Sequence, residues 1–183
     1  MLAVLAFTAA CSPSAGKPVP EEPPTTSSAT PSTSVKPSSP RPREIKVDGL
    51  RPCDLLTTEQ LPGLKIDRPG RSVTSDFYQT TACSWTVTGA SNRLTPVTRE
   101  GIEEWTGGKR TGRPTEIEPI LDFPAITVTL PSDPAACDVM VDTADGQYLV
   151  ATFSVLPGFE DRFPEPCDGA RQLAEAAMQN LSK

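Results

Sequence analysis

Hydrophobic positions recur at helical spacing most clearly near the C-terminus. Ala170, Leu173, Ala174, Ala177 and Leu181 fall at i, i+3, i+4, i+7 and i+11, with Arg171, Glu175 and Asn180 on the opposite side. That stripe predicts a surface helix over the last 18 residues, packed on a sheet. A shorter helix is expected after Cys53, with Leu55, Leu56 and Leu61 as its apolar members and Pro62-Gly63 as its end. A third is expected from Arg99 to Thr106, capped by Thr98 and stopped by Gly107-Gly108.

Elsewhere the period is two. Cys83, Trp85 and Val87 alternate with Ser84, Thr86 and Thr88, and Cys137, Val139 and Val141 alternate with Asp138 and Asp142. Both runs read as strands with the cysteine facing a core, and Trp85 is expected to pack against a disulfide rather than bind a sugar. Leu149, Ala151, Phe153 and Val155 continue the pattern. Residues 137–143 and 147–155 thus predict a hairpin around Ala144-Asp145-Gly146, with a type I′ turn because Asp-Gly tolerates positive φ. Ile126, Val128 and Leu130 alternate with Thr127 and Thr129, giving a further strand before Pro131. A strand over 94–98 contains Pro96, which points to a sheet edge. The pattern as a whole predicts an α+β fold, an antiparallel sheet packed with two or three helices.

The first 47 residues follow neither period. Residues 1–10, MLAVLAFTAA, are apolar and end in small residues before Cys11, as a secretory signal does. Spanning a bilayer needs about 20 apolar residues, so this stretch is too short for that. Cysteine directly after Ala9-Ala10 resembles a bacterial lipobox, although Thr8 stands where Leu or Val is usual and no basic residue precedes the apolar run. The resemblance implies cleavage before Cys11 and diacylation of its sulfur, which anchors stably because each buried CH₂ contributes about 0.8 kcal/mol. Between Ser12 and Pro42, 9 of 31 residues are Pro and 12 are Ser or Thr, too little apolar surface to offset ordering entropy. From Cys11 to Leu50 such a tether reaches about 120 Å as polyproline and roughly 35 Å as a flexible coil. The expected organisation is a signal over 1–10, a Pro/Ser/Thr-rich tether over 11–47 and a single α+β domain over 48–183.

Charge and cysteine content narrow the function. The chain carries a net charge of −6 and no His. Without His there is no Ser-His-Asp or Cys-His catalysis and no His-ligated zinc or haem, and the acidic balance argues against a nucleic-acid partner. Beyond Cys11 the chain holds Cys53, Cys83, Cys137 and Cys167, an even number without a C-x-x-C pair. Outside the cytoplasm that reads as two structural disulfides. Cys53 and Cys167 each stand between Pro and Asp, a setting that suits the first turn of a helix. Each bridge then ties a helix start to a strand. Cys53–Cys83 with Cys137–Cys167 is favoured, each closing a loop of about 30 residues valued at about 3.6 kcal/mol on the chain-entropy account. Cys53–Cys137 with Cys83–Cys167 also joins helix to strand, and spacing leaves it open.

Pro52-Cys53-Asp54-Leu55-Leu56-Thr57, Cys83-Ser84-Trp85, Asp122-Phe123-Pro124-Ala125, Cys137-Asp138-Val139 and Pro166-Cys167-Asp168 with Leu173-Ala174 follow one another behind a lipobox-like start. This ordered set resembles the actinobacterial lipoproteins of domain-of-unknown-function family 3558, over roughly residues 48–182. The resemblance implies location outside the cytoplasm, lipid anchoring and two disulfides, and implies no activity. A more distant architectural likeness is to extracellular sensor domains of actinobacterial Ser/Thr kinases.

The candidate chemistry is sparse. Carboxylates pair at Glu103-Glu104, Glu116/Glu118 and Glu160-Asp161, neighbours that are expected to be solvated rather than to face each other across a substrate. Asp142 and Asp145 flank a hairpin turn without a calcium-type ligand ladder. Lys109, Arg110 and Arg113 form a basic, Gly-containing stretch expected to be a mobile loop that could contact phosphate or a glycan acid, and Trp105 is the candidate exposed contact aromatic. No catalytic, cofactor or metal site is expected. The reading is a non-catalytic binding or sensing module on the outer face of the cytoplasmic membrane. The membrane is contacted through the lipid on Cys11, and the ligand is an envelope glycan, a lipid or a protein. The alternatives are a His-free hydrolase using Ser/Lys or carboxylates such as Glu118 and Asp122, or a structural partner in a membrane assembly.

Overall fold

A computed structural model describes residues 41–183; Cys11, the signal and most of the tether lie outside the described residues. Seven antiparallel strands form one sheet: β1 (Arg71–Ser75), β2 (Thr80–Val87), β3 (Ala90–Val97), β4 (Arg113–Ile120), β5 (Phe123–Leu130), β6 (Asp133–Ala144) and β7 (Gln147–Val155), in the order β1-β2-β3-β7-β6-β5-β4. A single-turn helix α1 (Glu103–Thr106) joins β3 to β4, and α2 (Pro166–Leu181) follows β7. The described residues are thus mostly sheet, with one long helix.

The alternating runs place one residue set on the α2 side. Cys83, Trp85, Val87, Leu94, Cys137, Val139, Val141, Leu149, Ala151, Phe153 and Val155 form one buried cluster with Ala170, Leu173, Ala174, Ala177 and Met178 of α2. Burial of a Leu- or Phe-sized side chain contributes about 1.5–3 kcal/mol, so this layer dominates the stability of the fold. Gly169 lets α2 approach β7 closely: a Cβ there would lie 2.3 Å from the Phe153 ring. Both favoured bridges are present, Cys53–Cys83 and Cys137–Cys167, each with a Cα–Cα distance of 5.0 Å. The first ties a 3₁₀ turn (Pro52–Leu55) to β2, and the second ties the first turn of α2 to β6.

Four local expectations are corrected. The segment after Cys53 is not an α-helix but two 3₁₀ turns, Pro52–Leu55 and Pro62–Leu64, with Pro62 starting the second rather than ending the first. Its sequence holds only three apolar positions, too few to define a helical face, and Leu56 is already extended. Helix α1 is one turn long and Thr98 does not cap it; Ile102 precedes it without a side-chain cap, although Gly107 does close it, donating its N–H to the Glu103 carbonyl at 2.8 Å. The strand with Pro96 is interior, lying between β2 and β7. Pairing with β2 ends at Leu94, so Pro96 sits beyond that ladder, opposite Leu149 of β7. The β6–β7 turn is not type I′. Only Gly146 takes positive φ (69°), and the register shifts between Asp142 and Ala144, as in a turn followed by a left-handed glycine and a bulge. The turn with two consecutive left-handed residues is instead Leu121-Asp122, φ 49° and 68°, between β4 and β5.

The second sheet face also carries a core. Val97, Ile126, Val128, Met140, Tyr148 and Val150 are buried there under Ile102 and Trp105 from α1 and its leading residue. Consequently β6 and β7 are buried on both sides, which period-two reading of a half-solvated strand does not anticipate.

Two substitutions test this packing. Gly169→Ala gains about 1 kcal/mol in helix propensity but must push the Phe153 ring, so urea unfolding should show a net loss of about 1–3 kcal/mol; a neutral or positive change contradicts the close approach of α2. Leu121→Asn relieves a branched, exposed side chain in the left-handed region and should raise stability by about 1 kcal/mol in the same assay.

Candidate functional site

The sequence-selected contact residues do not form a free patch. Trp105 is buried, 4% exposed, rather than presented to a ligand. Ile102 and Trp105 are three residues apart, so a single helical turn points both at the sheet. Its indole N–H donates to the Tyr148 hydroxyl at 2.9 Å, and that hydroxyl donates to Glu100 at 2.9 Å. Burial pushes the Tyr148 phenol well above its ordinary range. Glu100 also holds Arg110, whose guanidinium lies 5.2 Å over the Phe77 ring. Lys109 is paired with Glu104 at 2.7 Å, and the carboxylate raises the ammonium pKa. Arg113 is exposed at the start of β4. The basic stretch therefore fastens the loop after α1 to its own acids, while Arg113 stands apart on the edge strand.

A cleft of about 1020 Å³ lies elsewhere. It opens where two strands part. Pairing of β5 with β6 stops at Ala125–Val141. The next residue along β5, Pro124, has no N–H to offer, and beyond it the Thr143 carbonyl of β6 accepts the Ile45 N–H at 2.7 Å. Residues 41–47 run along this vacated edge as a strap. Val47 is 1% exposed, and its N–H donates to the Gln147 side chain at 2.8 Å. Arg41 donates to both carboxylate oxygens of Asp142 at 2.7 Å and also pairs with Asp145. Burial raises the Asp142 carboxyl pKa, with Arg41 opposing the rise.

Between the strap and the β4–β5 hairpin the cleft has a buried apolar floor of Ile102, Ala125 and Ile126, extended by Ile117, Pro119 and Pro124. Its walls carry Glu44, Glu103, Glu116 and Glu118, besides Asp142, Asp145, Arg41 and Arg43. Among the described residues Glu103, Glu116 and Glu118 have no ion-pair partner. The fold thus gathers the Glu116/Glu118 pair, Glu103 and Asp142, which are apart in sequence, into one depression. It does not bring Asp122 in. Glu118 lines the cleft, but Asp122 sits in the β4–β5 turn and is not part of the lining, so the carboxylate pair of the hydrolase alternative is not assembled there. Glu160 and Asp161 stand apart in a 3₁₀ turn after β7. No grouping of three or more Cys, Asp or Glu placed to hold a metal occurs among the described residues.

Sequence reading missed the strap, because Arg41–Val47 follows a proline-rich stretch and shares its low apolar content. The usable signal is the alternation of Ile45 and Val47 with Glu44 and Lys46, a short strand pattern abutting the tether.

An antiparallel, doubly bridged sheet domain with a cleft beside its first described residues defines the class. The chain belongs to the family described as "Protein of unknown function (DUF3558)", which matches residues 6–180. No curated protein and no solved structure matches it. No helix among the described residues is long and apolar enough to cross a membrane.

Arg41→Ala tests the strap. Removing the cation leaves Asp142 with its burial uncompensated and raises its folded-state pKa further above the unfolded value. A raised carboxyl costs stability once ionised and costs nothing when protonated in both states. Thermal unfolding of Arg41→Ala should therefore show a deficit at pH 7 that shrinks at pH 4. An equal deficit at both values rules out the ion pair as its source.

Proposed function

We propose that this protein is a lipid-anchored extracytoplasmic binding domain, non-catalytic, whose ligand site is the cleft between the strap, α1 and the β4–β5 hairpin. The cleft itself carries the reading: its volume of about 1020 Å³ and apolar floor with convergent polar groups suit a bound molecule. The lipobox-like Ala9-Ala10-Cys11 supports the anchor, and the two disulfides accord with an oxidising compartment. The large apolar side chains that are exposed, Phe77, Leu121, Leu130 and Leu156, sit at four separate turns or strand ends. That distribution favours a ligand-binding module over a structural partner with one broad apolar face.

The test uses the full chain expressed in a bacterial host that processes lipoproteins. Intact mass should show two acyl chains at Cys11, and Cys11→Ala should move the protein from the membrane to the soluble fraction. Native mass spectrometry after incubation with an envelope extract should show retained mass, and Thr106→Trp, which fills the cleft from its exposed wall, should abolish it. An unlipidated Cys11 removes the anchor; retention unchanged in Thr106→Trp removes the cleft as the site.

A further inference from the structure

Resting on the cleft as binding site, we infer that its ligand is an extended, cationic segment of a partner polypeptide carrying alternate apolar side chains. Three observations lead there. First, the walls are unbalanced in charge: Glu103, Glu116 and Glu118 have no cationic partner among the described residues, while Arg41 is already held by Asp142 and Asp145. An acidic surface of this kind attracts and orients a cationic partner. Second, the floor of Ile102, Ala125 and Ile126 is apolar and buried, so a bare polycation would leave it unfilled. Third, the strap shows the mode of docking within the same molecule. It lies against the strand edge that β5 leaves, gives a backbone N–H to the Thr143 carbonyl at 2.7 Å and seats a guanidinium on two carboxylates. The remaining space lies between that strap and β4. Because β4 is an edge strand, the wall formed by Glu116–Pro119 has no strand beyond it. An extended chain laid there would place cations toward the glutamates and apolar residues toward the floor, in the manner of strand addition.

The experiment titrates the purified full chain into a fluorescein-labelled peptide alternating Lys and Val, read by anisotropy. Parallel arms use a Glu/Val peptide and spermine as competitor. The Lys/Val peptide should bind, more weakly as salt rises, and the Glu/Val peptide should not. Glu103→Gln/Glu116→Gln/Glu118→Gln should weaken binding by about tenfold or more. Asp67→Asn/Asp76→Asn/Asp161→Asn, an equal change of charge at exposed positions outside the cleft, should leave it unchanged. Thr106→Trp should block it, and unfolding curves for each variant establish that the fold is intact. Equal binding of both peptides, or an equal loss in the control variant, overturns the charge argument. Full displacement by spermine at matched charge overturns the polypeptide. Self-association of the chain that the triple Gln variant abolishes assigns the cleft to a second copy and overturns a foreign partner. Absence of peptide binding while an envelope ligand is still retained and still lost in Thr106→Trp overturns this inference and leaves the cleft as a binding site.

Discussion

Helix α2 lying on β6 and β7 is the contact on which the rest of the molecule depends. It is held at one end by the Cys137–Cys167 bridge and along its length by Ala170, Leu173, Ala174, Ala177 and Met178, all fully buried. Small residues on the helix face allow the close approach, and Gly169 against Phe153 marks where it is closest. With α2 seated, β6 and β7 become the central strands. Everything on the opposite face, α1 included, is then built against a backbone already fixed from behind. The same helix reaches the β4–β5 hairpin, where Arg171 donates to the Glu118 carbonyl at 3.1 Å. That contact steadies one wall of the cleft from outside it.

The cleft exists because of a conflict within the sheet. Strands β5 and β6 pair from Val128 to Ala125 and part at Pro124, which has no N–H to give. Beyond that point the Thr143 carbonyl of β6 accepts from Ile45 of the strap. A buried backbone acceptor without a partner is costly, so the strap is part of the fold rather than an ornament on it. Asp142 adds a second requirement, since a partly buried carboxylate needs a cation and Arg41 is the group that meets it.

What could be read from residue order alone follows from how local each feature is. The α2 stripe and the core-facing sets of β2, β6 and β7 are periodicities carried within one element, and the structure keeps them. Each disulfide joins one cysteine to the following cysteine, 30 residues on, so spacing favours the observed pairing although it leaves one alternative. The second core escaped because Tyr148, Met140 and Val150 occupy positions that a one-sided sheet would leave wet, and the residues that cover them come from a single helical turn. Trp105 followed the same error: flanked by Glu104 and Thr106 it looks exposed, and only the sheet beneath it says otherwise. The cleft could not be read at all, since its walls come from the strap, α1, β4, β5 and β6. The Lys109–Arg113 stretch reads as basic in isolation, but the acids that hold it, Glu100 and Glu104, come before it in the chain and meet it only once α1 has formed.

The two sulfur bridges enclose separate spans, 53–83 and 137–167, that neither overlap nor nest. A polypeptide delivered N-terminus first therefore presents each thiol's correct mate before the following pair has appeared. Among these four thiols, oxidation in order of arrival favours the native connectivity.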